Sequence, residues 1–107
     1  MIVATTFDVA GYEVTETLGE VFGITVRSRG LFGNIGAGLK SLVGGEIKQY
    51  TSLLEQAREH AVQRLIERAT AAGADAVVMM RFDSSEIGNT MSEIVAYGTA
   101  VKLRRVG

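Results

Sequence analysis

From residue 46 to residue 72 the apolar positions recur at intervals of three and four. Ile47, Tyr50, Leu54, Ala57, Ala61, Leu65, Ala69 and Ala72 form one stripe, the spacing that puts side chains on a single face of an α-helix. Ser52 and Glu55 fit a capping box that would begin the helix at Leu53. The stripe reaches upstream of Ser52, however, so the predicted start is near Glu46 with Gly45 as N-cap. Glu46 then stands where the helix dipole favours an anion. Gly73 is the predicted stop, because a helix commonly ends on a glycine in the left-handed conformation. The stripe narrows to alanine at Ala57, Ala61, Ala69 and Ala72, which predicts close packing on a sheet or another helix. Arg58 lies inside the apolar sector, so its stem should pack on the core edge while its head reaches water. The carboxylates that could pair with it are Glu55, a strand residue or a residue of a second copy.

Elsewhere the pattern has period two. Residues 2–6 are a short β-like run of Ile, Val, Ala and Thr. Over residues 12–28, Val14, Leu18, Phe22, Ile24 and Val26 share one side, with Glu13, Thr15, Thr17, Thr25 and Arg27 on the other. Glu16 and Glu20 break this alternation, and a bulge or bend at Gly19 would restore it. Residues 76–86 place Val78, Met80 and Phe82 together, opposite Val77, Met79, Arg81 and Asp83. Met79 and Met80 are expected in the core. Over residues 91–104, Val95, Tyr97, Thr99, Val101 and Leu103 share a face. Ala96, Gly98 and Ala100 alternate with them, a flat surface that a helix or another chain can approach closely. With a turn at residues 87–90, the last two segments form an antiparallel hairpin. The predicted fold class is α+β: a β-α-β-β core, an antiparallel sheet with one long helix packed on it.

The stretch LFGNIGAGLKSLVGG, residues 31–45, invites a phosphate-loop reading that its spacing refuses. Gly33 and Gly38 have the interval of a Walker loop, but Leu39 intrudes before Lys40 and Ser41. A dinucleotide fingerprint fails because Ser41 takes the third glycine position. At helical spacing Leu31, Phe32, Ile35, Leu39, Leu42 and Val43 fall on one third of the circumference. The segment therefore reads as a short glycine-rich helix that needs its stripe covered. Leu31, Phe32, Ile35 and Leu39, together with Arg58 and Gly98, are the expected structural or interface residues.

Composition changes this picture mainly by exclusion. A chain of 107 residues is one domain over residues 1–107 and buries only about two-thirds of its unfolded surface, so assembly would help it. The net charge of −1 lacks the basic excess of a nucleic-acid binder. No Cys is present, which removes disulfides, thiolate metal sites and a cysteine nucleophile. No apolar run approaches the roughly 20 residues of a membrane span. The opening MIVATTFDVAG lacks the features of a signal peptide. The expectation is a cytoplasmic protein without stable membrane insertion.

Several of these stretches carry a family resemblance. Gly44-Gly45-Glu46, Tyr50-Thr51, the Glu55-x-x-Arg58 helix and Gly73-Ala74-Asp75-Ala76-Val77-Val78 resemble the YbjQ-like family. Residues 2–6, Gly11-Tyr12-Glu13-Val14 and residues 96–101 are similar as well, so the likeness runs through nearly the whole chain in order. Phe7 departs from the Pro or Glu that many members carry after the opening threonines, a difference confined to a loop. The resemblance implies a homopentameric ring, and the family's label names heavy metals.

The residues give that label little to work with. Soft metals prefer thiolate and imidazole ligands, and the chain offers only His60. The positions one turn away hold Gln56, Ala57, Gln63 and Arg64, none a carboxylate. The candidate oxygen ligands are Asp83 and Glu86 near the hairpin tip, where copies in a ring could face one another, and Glu55 and Glu59 one helical turn apart. No cofactor is expected and no catalytic constellation of Ser, His and Asp is spaced for action. A nucleic-acid surface would need Arg27, Arg29, Lys102, Arg104 and Arg105 brought together, without an aromatic platform. The reading is a non-enzymatic, homo-oligomeric ring module, its partner being itself and any small ligand or metal left open. The alternative is an enzyme whose active site forms between subunits.

Overall fold

The computed structural model describes residues 1–28, 48–88 and 91–106. The glycine-rich helix with Leu31, Phe32, Ile35 and Leu39, and the expected helix start at Glu46, lie outside them. In chain order the elements are β1 (Ile2–Val3), β2 (Tyr12–Ser28), α1 (Lys48–Ala71), β3 (Ala76–Ile87) and β4 (Met91–Arg105). They make an α+β fold with one four-stranded sheet in the order β1-β3-β4-β2. The sheet is mixed, where an all-antiparallel one was expected. Ile2 and Val3 pair in parallel with Ala76 and Val77, because a long connection through α1 separates the two strands and supplies the crossover parallel strands need.

The helix follows its sequence pattern closely. Ser52 is already inside α1, so the capping box at Ser52 does not start it. At the other end Gly73 has φ +84°. Its N–H donates to the Thr70 carbonyl and that of Ala74 to Ala69, each at 3.0 Å, the paired bonds of a Schellman stop. The alanine stripe is the buried face: Ala57, Ala61, Leu65 and Ala69 have no exposed surface. Burial of Leu65 alone contributes about 1.5–3 kcal/mol.

Close approach of α1 to the sheet depends on Gly23 of β2. A Cβ built there would lie 2.0 Å from the Ala61 carbonyl oxygen and 2.4 Å from the Leu65 nitrogen. These are backbone atoms, so the helix rests on the strand where no side chain intervenes. Asp75 then ties the helix exit to β4. Its carboxylate accepts the Leu103 N–H at 2.9 Å, and its own N–H donates to the Val101 carbonyl.

Bulges decide which side chains face the helix. β2 shifts register between Val14 and Glu16 and again between Thr17 and Gly19, where Gly19 has φ +112°. The bend expected at Gly19 is present. Its effect is to bring Leu18 and Val21 to the same side, packed in the cluster with Ala61, Leu65 and Ala69. Val21 and Thr25 are consequently buried, and Phe22, Ile24 and Val26 lie on the opposite face. That apolar side of the strand is the one α1 leaves uncovered.

β3 contains a similar correction. Its register shifts between Val78 and Arg81, with Met79 at φ +56°. Val77, not Val78, therefore joins Met80 and Phe82 under α1. Met79 is exposed and does not belong to the core, whereas Met80 packs against it. Val78 packs on the far face with Ala76, Val101, Val9, Val14 and Leu103. Residues 4–6 brace the bulge: Met80 N–H donates to Ala4, Met79 N–H to Thr6, and Arg81 Nη1 to Thr5, the last at 2.8 Å.

Candidate functional site

Leu54, one turn before the fully buried part of the helix stripe, is exposed, and here α1 borders a groove instead of sealing the sheet. The groove has a volume of about 750 Å3 and runs between the N-terminal half of α1, the distal half of the β3–β4 hairpin and the end of β2. Its apolar surface comes from Leu54, Phe82 and Ile94, and its hydroxyls from Thr51, Ser84 and Ser92. Charges of both signs border it, Arg27 and Arg58 with Glu55 and Glu86, while Asp83 and Glu93 contribute at the rim. Strand alternation puts Phe82, Ser84 and Glu86 on the α1 side and Asp83 and Ser85 on the other. The Asp83 carboxylate accepts the N–H of Ser84 at 2.8 Å.

Three arginines around it make defined contacts. The Arg58 guanidinium carbon lies 5.0 Å from the centre of the Phe82 ring, within the range in which a cation is attracted to an aromatic face. An aromatic ring thus takes the place that the sequence offered to a carboxylate. Arg27 donates from Nη2 to Nδ1 of His60, and Arg64 donates to the Ile24 carbonyl. The first contact requires His60 Nδ1 to be unprotonated, since a protonated ring would present N–H to a cation.

Of the four carboxylates expected as oxygen ligands, Glu55, Asp83 and Glu86 border this groove, while Glu59 does not line it. Gly98 is buried within the chain: a Cβ there would meet Val77 Cγ1 at 2.7 Å and the Val78 carbonyl oxygen at 2.9 Å. Arg27 of β2 and Arg104 of β4 lie at opposite ends of the β2–β4 ladder, paired across from Ser92 and Glu13 respectively, and Arg104 bonds Glu13. Among the described residues, the basic positions are therefore not gathered on one surface; Arg29 lies outside them. Sequence reasoning missed Phe82 as a cation platform and Arg27 as a groove residue. It also missed Gly23, for which the signal was a lone glycine in an alternating strand.

The donor set does not fit a soft heavy metal. The chain has no Cys, its one imidazole faces a guanidinium at Nδ1, and among the described residues no three of His, Cys, Asp and Glu could hold one ion. Also among the described residues, no helix is long and apolar enough to cross a membrane.

A family model described as "Putative heavy-metal-binding", YbjQ, matches residues 1–104. The chain belongs to the YbjQ family. Its similarity to individual members is high: 63% identity over 100 residues with a UPF0145 protein of Bradyrhizobium sp. (strain ORS 278), covering 94% of this chain and 90% of that one. A UPF0145 protein of Enterococcus faecalis is 58% identical over 102 residues, covering 95% and 98%. The fold is shared with a crystal structure of a protein of unknown function from Pediococcus pentosaceus, assigned to the DUF74 family. The TM-score is 0.63 at 18% identity, over 97% of this chain and 98% of that one. The relatives' names carry no enzymatic activity, and the YbjQ label names metals that the donors of one copy do not suit.

Proposed function

We propose that this YbjQ-family chain is a non-enzymatic binding module of the cytoplasm that works as a homo-oligomeric ring of five copies. Its ligand site is the groove between α1 and the β3–β4 hairpin, and its ligand a small polar molecule carrying charges of both signs. The observation that carries the ligand site is the groove's lining. Arginines, carboxylates, hydroxyls and an apolar floor converge on about 750 Å3, within the usual size range of small-molecule sites. The ring is implied by the family resemblance and supported by the sheet face that α1 leaves open. On that face Phe22, Ile24 and Val26 are 41%, 40% and 47% exposed, a large apolar area for a domain of this size to leave in water.

Native mass spectrometry of the protein as purified tests both parts. The expected result is an assembly near five times the 11.4 kDa chain mass, retaining a small charged molecule that Arg58→Ala loses. A monomer overturns the ring. A ring that carries nothing, or the same molecule in both proteins, overturns the groove as the site.

A further inference from the structure

The three arginine contacts around the groove differ in what a proton does to them. Arg58 stacks on Phe82 and Arg64 donates to the Ile24 carbonyl; neither a ring of this kind nor a carbonyl titrates. Arg27 donates to His60 Nδ1, and imidazole is the side chain whose charge ordinarily changes between about pH 5 and 8. Once Nδ1 carries a proton it offers a donor to a donor, and two cations stand where a hydrogen bond was. Protonation of His60 therefore breaks this contact.

What the contact holds is a groove residue. On the α1 side of the sheet Arg27 of β2, Ser92 of β4 and Glu86 of β3 form one row, because Arg27 and Glu86 both pair with Ser92. All three line the groove, and His60 does not. With one strand between them, Arg27 and Glu86 are about 10 Å apart at the usual strand spacing. The long stem of an arginine lets its head lie either against α1, at His60, or across Ser92 toward the carboxylate side. The other charged residues beside His60 on the helix are Glu59 and Arg64, while Gln56, Ala57 and Gln63 are neutral. From the sheet, among the described residues, the charged groups at this level are Arg27 itself and Glu86 on its row.

We propose that His60 positions Arg27 for the groove. The neutral imidazole holds the guanidinium against α1, and the protonated one releases it across Ser92 toward Glu86. There it offsets the Glu86 carboxylate, so the groove takes the anionic end of a ligand more readily at mildly acid pH. That consequence rests on the groove being the ligand site; the coupling of the two side chains does not.

The test is NMR on the ligand-free protein, any affinity tag removed, titrated from about pH 8 to about pH 5. The chain has one histidine, so its ring signal gives the midpoint directly. The N-terminal amine also titrates in this range, but it sits on β1, at the far side of the sheet from β2. The Arg27 Cζ signal and the amide signals of Ser92 and Glu86 should move with the His60 midpoint. In Arg27→Gln His60 should still titrate while Ser92 and Glu86 stay still. His60→Asn, whose Oδ1 accepts as Nδ1 does but takes up no proton, should keep Arg27 in its high-pH position throughout, and His60→Lys should fix it in the low-pH one. An Arg27 signal in the wild type that ignores the His60 titration overturns the proposal and needs no variant. A Ser92 and Glu86 response that survives Arg27→Gln also overturns it, as does Arg27 movement that persists in His60→Asn. No ligand enters this experiment, so a flat titration leaves the groove standing as the site, and a groove found empty by mass spectrometry leaves the coupling to be read.

Discussion

Thr25 concentrates the residue-scale argument. It sits on β2 facing α1, is 3% exposed, and its hydroxyl has no hydrogen-bond partner among the described residues. A buried hydroxyl without a partner loses its water and gains nothing in return, a penalty of about 1–3 kcal/mol. Valine has nearly the same shape and no such group. Thr25→Val should therefore raise unfolding stability by about 1 kcal/mol. The check is a urea titration in which the midpoint rises and the slope is unchanged; a lower midpoint would show that Oγ1 has a partner. In the sequence Thr25 stands among the polar positions opposite Phe22, Ile24 and Val26, and that grouping is right. What alternation cannot supply is which group the helix covers. The apolar set looks like the obvious choice, but the small residues win because α1 presents backbone and alanine, and only Gly23 and its neighbours leave room for them.

At the scale of elements that fit becomes testable. The contact of α1 with β2 is backbone on backbone at Gly23, where an added methyl group would overlap the Ala61 carbonyl and the Leu65 nitrogen. Neither atom is the flexible end of a side chain, so Gly23→Ala must lift the helix. Forcing one methyl group into a packed core costs about 1–3 kcal/mol, occasionally more, and the upper end is expected here. Chemical denaturation would measure it; a loss under about 0.5 kcal/mol would mean that the helix does not sit this close. The helix was legible because its stripe, its alanines and the Gly73 stop agree: Ala57, Ala61, Leu65 and Ala69 are buried as the stripe predicts, although Leu54 and Ala72 at its ends are exposed. The strands were legible as strands but not in their facing. Every register shift reverses the parity of the residues beyond it, and only Gly19 announced one in advance. Met79 gives no such warning, since a methionine with positive φ looks like any other strand residue. The groove was hidden for a related reason. Glu55 and Arg58 were visible on the helix and Asp83 and Glu86 at the hairpin, but only the crossover through α1 places these two stretches on one groove.

For the whole molecule, the principal extents of 57 × 28 × 15 Å describe a slab one helix and one sheet thick, with a face and two edges left over among the described residues. Such a shape gains burial by assembly more readily than by folding alone, and the metal question belongs at this level too. One copy supplies no thiolate and a single imidazole turned toward Arg27 at Nδ1. A ring multiplies what each copy holds without changing its kind, so it can gather carboxylates such as Asp83 and Glu86 but not create soft donors. Oxygen ligands suit hard cations; zinc, copper and cadmium at tight occupancy call for nitrogen and sulfur. The protein, purified without chelator or affinity tag, should therefore contain zinc, copper and cadmium well below one equivalent per chain by elemental mass spectrometry. Adding these ions and dialysing should not raise the value. Retention of any of them at one per chain would overturn this, and would require His60 to leave Arg27 and turn toward a ligand from another copy.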